Sequence, residues 1–174
     1  KRLRAVDQGT GSGVVVAGNG LIVTNQHVLA GQKTAAVSFK SEPGDPIKSQ
    51  RIFVADVTRQ SARHDLALLE LRNPPQSLSA IKLGQISDVD LGSSVHAIGH
   101  PRGLLWSYTK GIVSQIRNGY VWDNHVANVI QTQTPIGPGS SGGPLFNDSG
   151  KLIGITAMAV YEGYNFAIHS QSSF

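Results

Sequence analysis

Apolar positions in this chain come in short runs separated by turn residues. Val14-Val15-Val16, Leu21-Ile22-Val23, Arg51-Ile52-Phe53-Val54, Val126 to Ile130 and Lys151 to Val160 each carry the Val, Ile, Leu and Thr content of a strand, and another strand opens at Asp65 and runs through Leu71. No stretch keeps apolar residues at helical spacing over three or more turns, so the pattern predicts an all-β fold. Pro74-Pro75 closes the run that begins at Asp65. A lobe boundary is expected between there and Gly84, with a first lobe up to about residue 83 and a second over about 84–174.

Composition sharpens this only a little. The 174 residues include 20 Gly and 8 Pro, which suits one two-lobed domain with many tight turns. Cysteine is absent, so no disulfide staples the chain and stability rests on packed cores. No segment reaches the roughly 18 consecutive apolar residues of a membrane span, and no signal peptide opens the sequence. Lys1-Arg2-Leu3-Arg4 reads as the trailing end of a longer segment. The net charge is +4, yet the 15 Lys and Arg are scattered and no nucleic-acid-reading motif occurs. Nucleic acid is therefore not an expected partner.

The chemistry concentrates in Gly139-Ser140-Ser141-Gly142-Gly143-Pro144-Leu145. A serine among glycines, just before an apolar strand, has little packing value there. Glycines let a backbone turn sharply and bring bare N–H groups close to a ligand. A serine hydroxyl needs a base to take its proton and preorganised donors for the oxyanion it creates. His27, directly after the run Gly20 to Thr24, is the candidate base. Asp65, opening Leu66 to Leu71, is the candidate orienting acid. The order His, Asp, Ser matches one of the known triad arrangements and excludes two others.

Several motifs together resemble the protease domain of the HtrA/Deg family of trypsin-like serine proteases. Gly9-Thr10-Gly11-Ser12-Gly13-Val14 is similar to its glycine-rich opening strand, Thr24-Asn25-Gln26-His27-Val28 to its histidine motif and His64-Asp65-Leu66-Ala67-Leu68 to its aspartate motif. Val95 to Gly103, Lys110-Gly111-Ile112-Val113-Ser114 and Asn165-Phe166-Ala167-Ile168 resemble further family segments in the same order. The resemblance implies two six-stranded antiparallel β-barrels of the chymotrypsin fold, with a substrate cleft between them. It implies a serine endopeptidase that needs no cofactor and takes unfolded or extended polypeptide, with His27, Asp65 and Ser141 as the triad. The oxyanion hole then falls on Gly139, Ser140 and Ser141, the amides of Gly139 and Ser141 being its donors.

The same resemblance places the floor of the primary pocket at Pro135, beside Ile136, with Asn165, Phe166 and Ala167 completing it. No carboxylate stands there to pair with a basic substrate residue, so cleavage after Val, Ala or Leu is expected. Family members usually carry a PDZ domain after the protease domain. None is present in this chain, so a PDZ or membrane domain is expected elsewhere in a longer protein. Self-association and a bacterial periplasm or envelope, or else an organelle lumen, complete the expectation.

A second function class stands beside this one. Gln133, Gly137 and Ser140 depart from the family pattern before the nucleophile, and Pro135 and Pro138 restrict that segment. A catalytically silent relative, repurposed to bind metal or peptide, would keep the same fold. Its metal would be a transition ion held by surface histidines, with His64 and His169 as the preferred pair. His96 and His100 are four residues apart, but on a strand and turn that spacing does not point both rings one way.

Overall fold

The computed structural model describes residues 10–40, 51–161 and 164–170. The charged opening, and residues 162 and 163 of the connection from Val160 to Tyr164, lie outside that description. The first sheet holds β1 (Val14–Ala17), β2 (Leu21–Thr24), β3 (Thr34–Ser38), β4 (Ile52–Ser61) and β5 (Leu66–Leu71). Its spatial order is β1-β2-β5-β4-β3. The second holds β6 (Lys82–Leu83), β7 (Ser94–Gly99), β8 (Ser107–Trp122), β9 (His125–Thr132), β10 (Pro144–Asn147), β11 (Lys151–Tyr161) and β12 (Tyr164–His169). Three short 3-10 turns, His27–Leu29, Ile86–Asp88 and Pro101–Gly103, are the only helical pieces among the described residues.

The all-β expectation holds, while the strand counts differ from six and six. Five strands form the first sheet and seven the second, in the order β10-β7-β8-β9-β12-β11-β6. An additional β10–β11 pairing links six strands of the second sheet into a ring, and β6 is appended outside it. The two residues of β6 pair in parallel with Lys151 and Leu152 of β11. Lys82 and Leu83 thus join the second sheet.

Alternation along the strands builds the cores. Leu66 to Leu71 buries Leu66, Ala67, Leu69 and Leu71 and exposes Glu70. Ala67, Leu69 and Leu71 pack with Ile22, Leu29 and Ala55 in the first lobe. Val95, Ala97, Val113, Ile130, Leu145, Ile153 and Ala167 pack inside the second. A third cluster joins Val14 and Leu66 of the first sheet to Val129, Ile155, Phe166 and Ile168 of the second. Full burial of one such aliphatic side chain contributes about 1.5–3 kcal/mol, so this shared cluster holds the lobes in fixed register.

That register positions the chemistry. Thr24 at the end of β2 pairs with Ala67 at the start of β5, which brings the residues just beyond each strand end together. Pro144 pairs with Ile155, which lays the serine loop against Thr156 and Ala157.

Candidate active site

His27 opens the 3-10 turn after β2, and Asp65 sits immediately before β5. Asp65 holds a left-handed backbone conformation, φ 52°, which Asp tolerates better than most residues. Its carbonyl accepts from Asn25 Nδ2 at 2.9 Å and from the Gln26 amide at 3.2 Å. Both carboxylate oxygens are committed to His27: Oδ1 accepts the His27 backbone N–H at 3.0 Å and Oδ2 meets Nδ1 at 2.7 Å. An ionised carboxylate only accepts, so Nδ1 carries the proton and Nε2 is left as the basic nitrogen. The Asp65 side chain is 2% exposed and that of His27 46%. The carboxylate is thus shielded while the imidazole is half-exposed.

The serine loop is held by one bond after another. Pro138 O accepts from the Arg102 amide at 2.8 Å. Gly139 O accepts from Ser12 Oγ at 2.8 Å. Ser140 O accepts from Thr156 Oγ1 at 2.5 Å. Ser141 O accepts from the Ser12 amide at 2.8 Å, and the Gly142 amide donates to Thr156 O at 2.8 Å. In a trans peptide the N–H points opposite the preceding C=O. The outward carbonyls of Pro138 and Ser140 therefore turn the amides of Gly139 and Ser141 the other way. Among the described residues neither amide has a hydrogen-bond partner. The Ser140 amide, by contrast, is spent on Gly137 O at 2.8 Å. Gly139 has φ +99°, and a Cβ there would lie 2.3 Å from His100 O, so this turn accepts no other residue.

The Ser141 hydroxyl donates to Ala157 O at 3.1 Å, and His27 is not its partner.

A cavity of about 300 Å³ adjoins the loop, lined by Ile136, Gly137, Pro138, Ser140, Ser141, Thr156 and Ala157. None of these carries a charge. Of the residues expected to form the primary pocket, Ile136 lines this cavity and also packs on the second-lobe core. Pro135 is exposed beside it, its carbonyl accepting from Thr109 Oγ1 at 2.9 Å. Asn165 is buried and donates through Nδ2 to Thr134 O at 2.8 Å, tying β12 to the segment before Pro135. Phe166 and Ala167 lie in the two cores on either side of β12.

The remaining histidines have separate tasks. His64 Nδ1 meets Ser61 Oγ at 3.2 Å in the β4–β5 turn. His169, at the end of β12 opposite Gly154, is buried, and burial lowers its pKa. Nothing in these surroundings assembles a ligand set from the two, and among the described residues no group of three or more His, Asp or Glu could hold a metal ion. His96 is stacked between Tyr108 and Phe146, with Nδ1 2.6 Å from Tyr108 OH and Nε2 2.7 Å from Asp148 Oδ1. His100 Nδ1 accepts from the Trp106 amide at 3.0 Å, and burial lowers its pKa.

Ser12, Thr24, Arg102 and Thr156 were not singled out by sequence reasoning. Ser12 sits in a glycine-rich run, the one local hint available. Its partners Gly139 and Ser141 stand near the other end of the chain.

Comparison with known proteins bears on this geometry. The family model described as "Trypsin-like peptidase domain" matches residues 11–155. The chloroplastic Protease Do-like 1 of Arabidopsis thaliana is 38% identical over 159 residues, 90% of this chain and 34% of that protein. The periplasmic serine endoprotease DegP of Salmonella typhimurium is 39% identical over 161 residues, 91% of this chain and 32% of that protein. The solved structure described as "HtrA-type protease AlgW with decapeptide" superimposes with a TM-score of 0.80 at 31% identity, covering 92% of this chain and 48% of that one. The chain spans about a third of the length of these curated relatives.

Proposed function

From the premise that this chain belongs to the trypsin-like peptidase family, in its HtrA type, we propose that it is the catalytic domain of a serine endopeptidase. The reading rests above all on the loop from Pro138 to Gly142, whose outward carbonyls leave the Gly139 and Ser141 amides as unspent donors beside the nucleophile. The Asp65–His27 pair supplies the base in the matching tautomer.

The reaction is acyl transfer in two stages. Ser141 Oγ attacks a peptide carbonyl carbon while its proton passes to His27 Nε2. Asp65 steadies the imidazolium, and the Gly139 and Ser141 amides receive the oxyanion. The C–N bond then breaks, with the leaving amine taking the proton from Nε2. Water attacks the acyl-serine by the same route and frees the carboxylic acid product. No cofactor enters.

The uncharged cavity at Ile136, Pro138 and Ala157 supports small aliphatic residues before the cut. The relatives named as serine endoproteases support a polypeptide substrate. The periplasmic and chloroplastic relatives support an envelope or organelle-lumen setting, and no described helix is long and apolar enough to cross a membrane. The test is digestion of an unfolded polypeptide with mapping of the cut sites. Wild type should cut after Val, Ala or Leu, and Ser141→Ala should not cut. Equal cutting by both proteins rejects the mechanism, and cuts dominated by Lys and Arg reject the pocket.

A further inference from the structure

Ser12 precedes β1 in the first lobe, yet its bonds reach the serine loop of the second. Its amide donates to Ser141 O at 2.8 Å and its hydroxyl to Gly139 O at 2.8 Å. Its own carbonyl accepts from Thr24 Oγ1 at 2.7 Å, three residues before His27. Ser12 is buried, and its carbonyl packs closely on the serine loop. A Cβ built on Gly142 would lie 2.1 Å from Ser12 O and 2.3 Å from Thr24 Oγ1. One residue thus joins the strand that carries the base to the loop that carries the nucleophile.

Inside its own lobe the serine loop is held by Arg102 and Thr156, which leave the Gly139 carbonyl unaddressed. That carbonyl belongs to the peptide between the two candidate oxyanion donors. If it swung, the backbone that presents the Gly139 and Ser141 amides would move with it. A backbone with glycines at 137, 139, 142 and 143 has little resistance of its own to such a swing.

We propose that Ser12 is a positioning residue for catalysis, its hydroxyl locking the Gly139 peptide so that the oxyanion donors are preset and its backbone fixing the spacing from His27 to Ser141. This rests on the serine-endopeptidase reading above. The first lobe then contributes to transition-state stabilisation as well as supplying the base. Substrate binding does not use this hydroxyl, because it points at the loop rather than at the cavity beside Ile136.

The experiment measures kcat and KM on an aliphatic peptide substrate, together with inhibition by the matching peptide boronate, for wild type, Ser12→Ala and Thr24→Val. Ser12→Ala should lose about 10- to 100-fold in kcat, less than removing an oxyanion donor outright, with KM within about twofold. Boronate affinity should fall by the same factor as kcat. The isosteric Thr24→Val loosens the same strut from its far end and should move kcat in the same direction by a smaller factor. A folded Ser12→Ala protein with unchanged kcat overturns the proposal, as does a loss carried wholly by KM. If Ser12→Ala fails to fold, Thr24→Val decides: unchanged kcat overturns the proposal. A wild type that neither cuts nor binds boronate overturns the enzyme reading itself, and this inference with it.

Discussion

The Arg102 amide donates to Pro138 O at 2.8 Å, across the bottom of the serine loop. That bond decides which way the Pro138–Gly139 peptide faces, and hence where the Gly139 N–H points. Arg102 adopts φ 52° to make it, inside the turn Pro101–Gly103. A non-glycine residue held there carries local strain, offset by the contact it secures.

Replacing Gly139 by Ala should therefore damage catalysis more than stability. The new methyl meets His100 O, and φ +99° disfavours any side chain. The loop relieves this by rotating the peptide that presents one of the proposed oxyanion donors. We expect kcat to fall by about 10²–10³, measured on a peptide substrate, while the far-UV circular dichroism spectrum is unchanged.

Asp65→Asn tests the tautomer argument. The amide can offer an N–H to Nδ1 and turn the imidazole so that Nε2 carries the proton. Activity should drop by about 10⁴-fold near neutral pH with the fold intact. Activity within tenfold of wild type would remove Asp65 from its role.

Acid should destabilise the domain through His100 and His169. Burial lowers both pKa values below the ordinary value of about 6.5, so the unfolded chain binds more protons than the folded one as pH falls past that value. Stability contributed by their neutral forms is full above about 6.5 and is lost on further acidification. His100 adds a specific cost, because a proton on Nδ1 removes the acceptor of the Trp106 amide. Thermal melts at about pH 7.5 and about pH 5 should show a lower Tm in acid, and a smaller drop for a His100→Gln, His169→Gln double variant.

Ile130 is fully buried inside the second lobe, beside Val95, Val113 and Leu145. Ile130→Ala should cost about 2–5 kcal/mol of unfolding free energy by urea titration, from lost burial and the cavity left behind. It touches none of the loop bonds, so kcat of the folded fraction should be close to wild type.

Much of this was legible because strand ends carry the chemistry. The runs Leu21 to Thr24 and Leu66 to Leu71 are short and apolar between turn residues, and the two sequence-named partners flank them, His27 just after the first and Asp65 just before the second. Strand β8, 16 residues long, was not read as one element, since polar and apolar residues mix along it without a clear period and its pairing with β9 passes through register shifts. The roles of Asn165, Phe166 and Ala167 were not legible either. Strand β12 is buried on both faces, so alternation does not say which face meets the cavity. The struts from Ser12 and Arg102 join segments distant in sequence, and the backbone atoms that supply or receive them leave no mark in residue identity.

The central claim is that Ser141 is a nucleophile activated by His27. Its most direct test is to treat the protein with a fluorophosphonate and map the adduct by mass spectrometry. We expect one phosphonylated residue, Ser141, in wild type, and a rate of labelling lowered by at least about 10²-fold in His27→Ala. An unlabelled Ser141, or one labelled equally fast without His27, would contradict the claim.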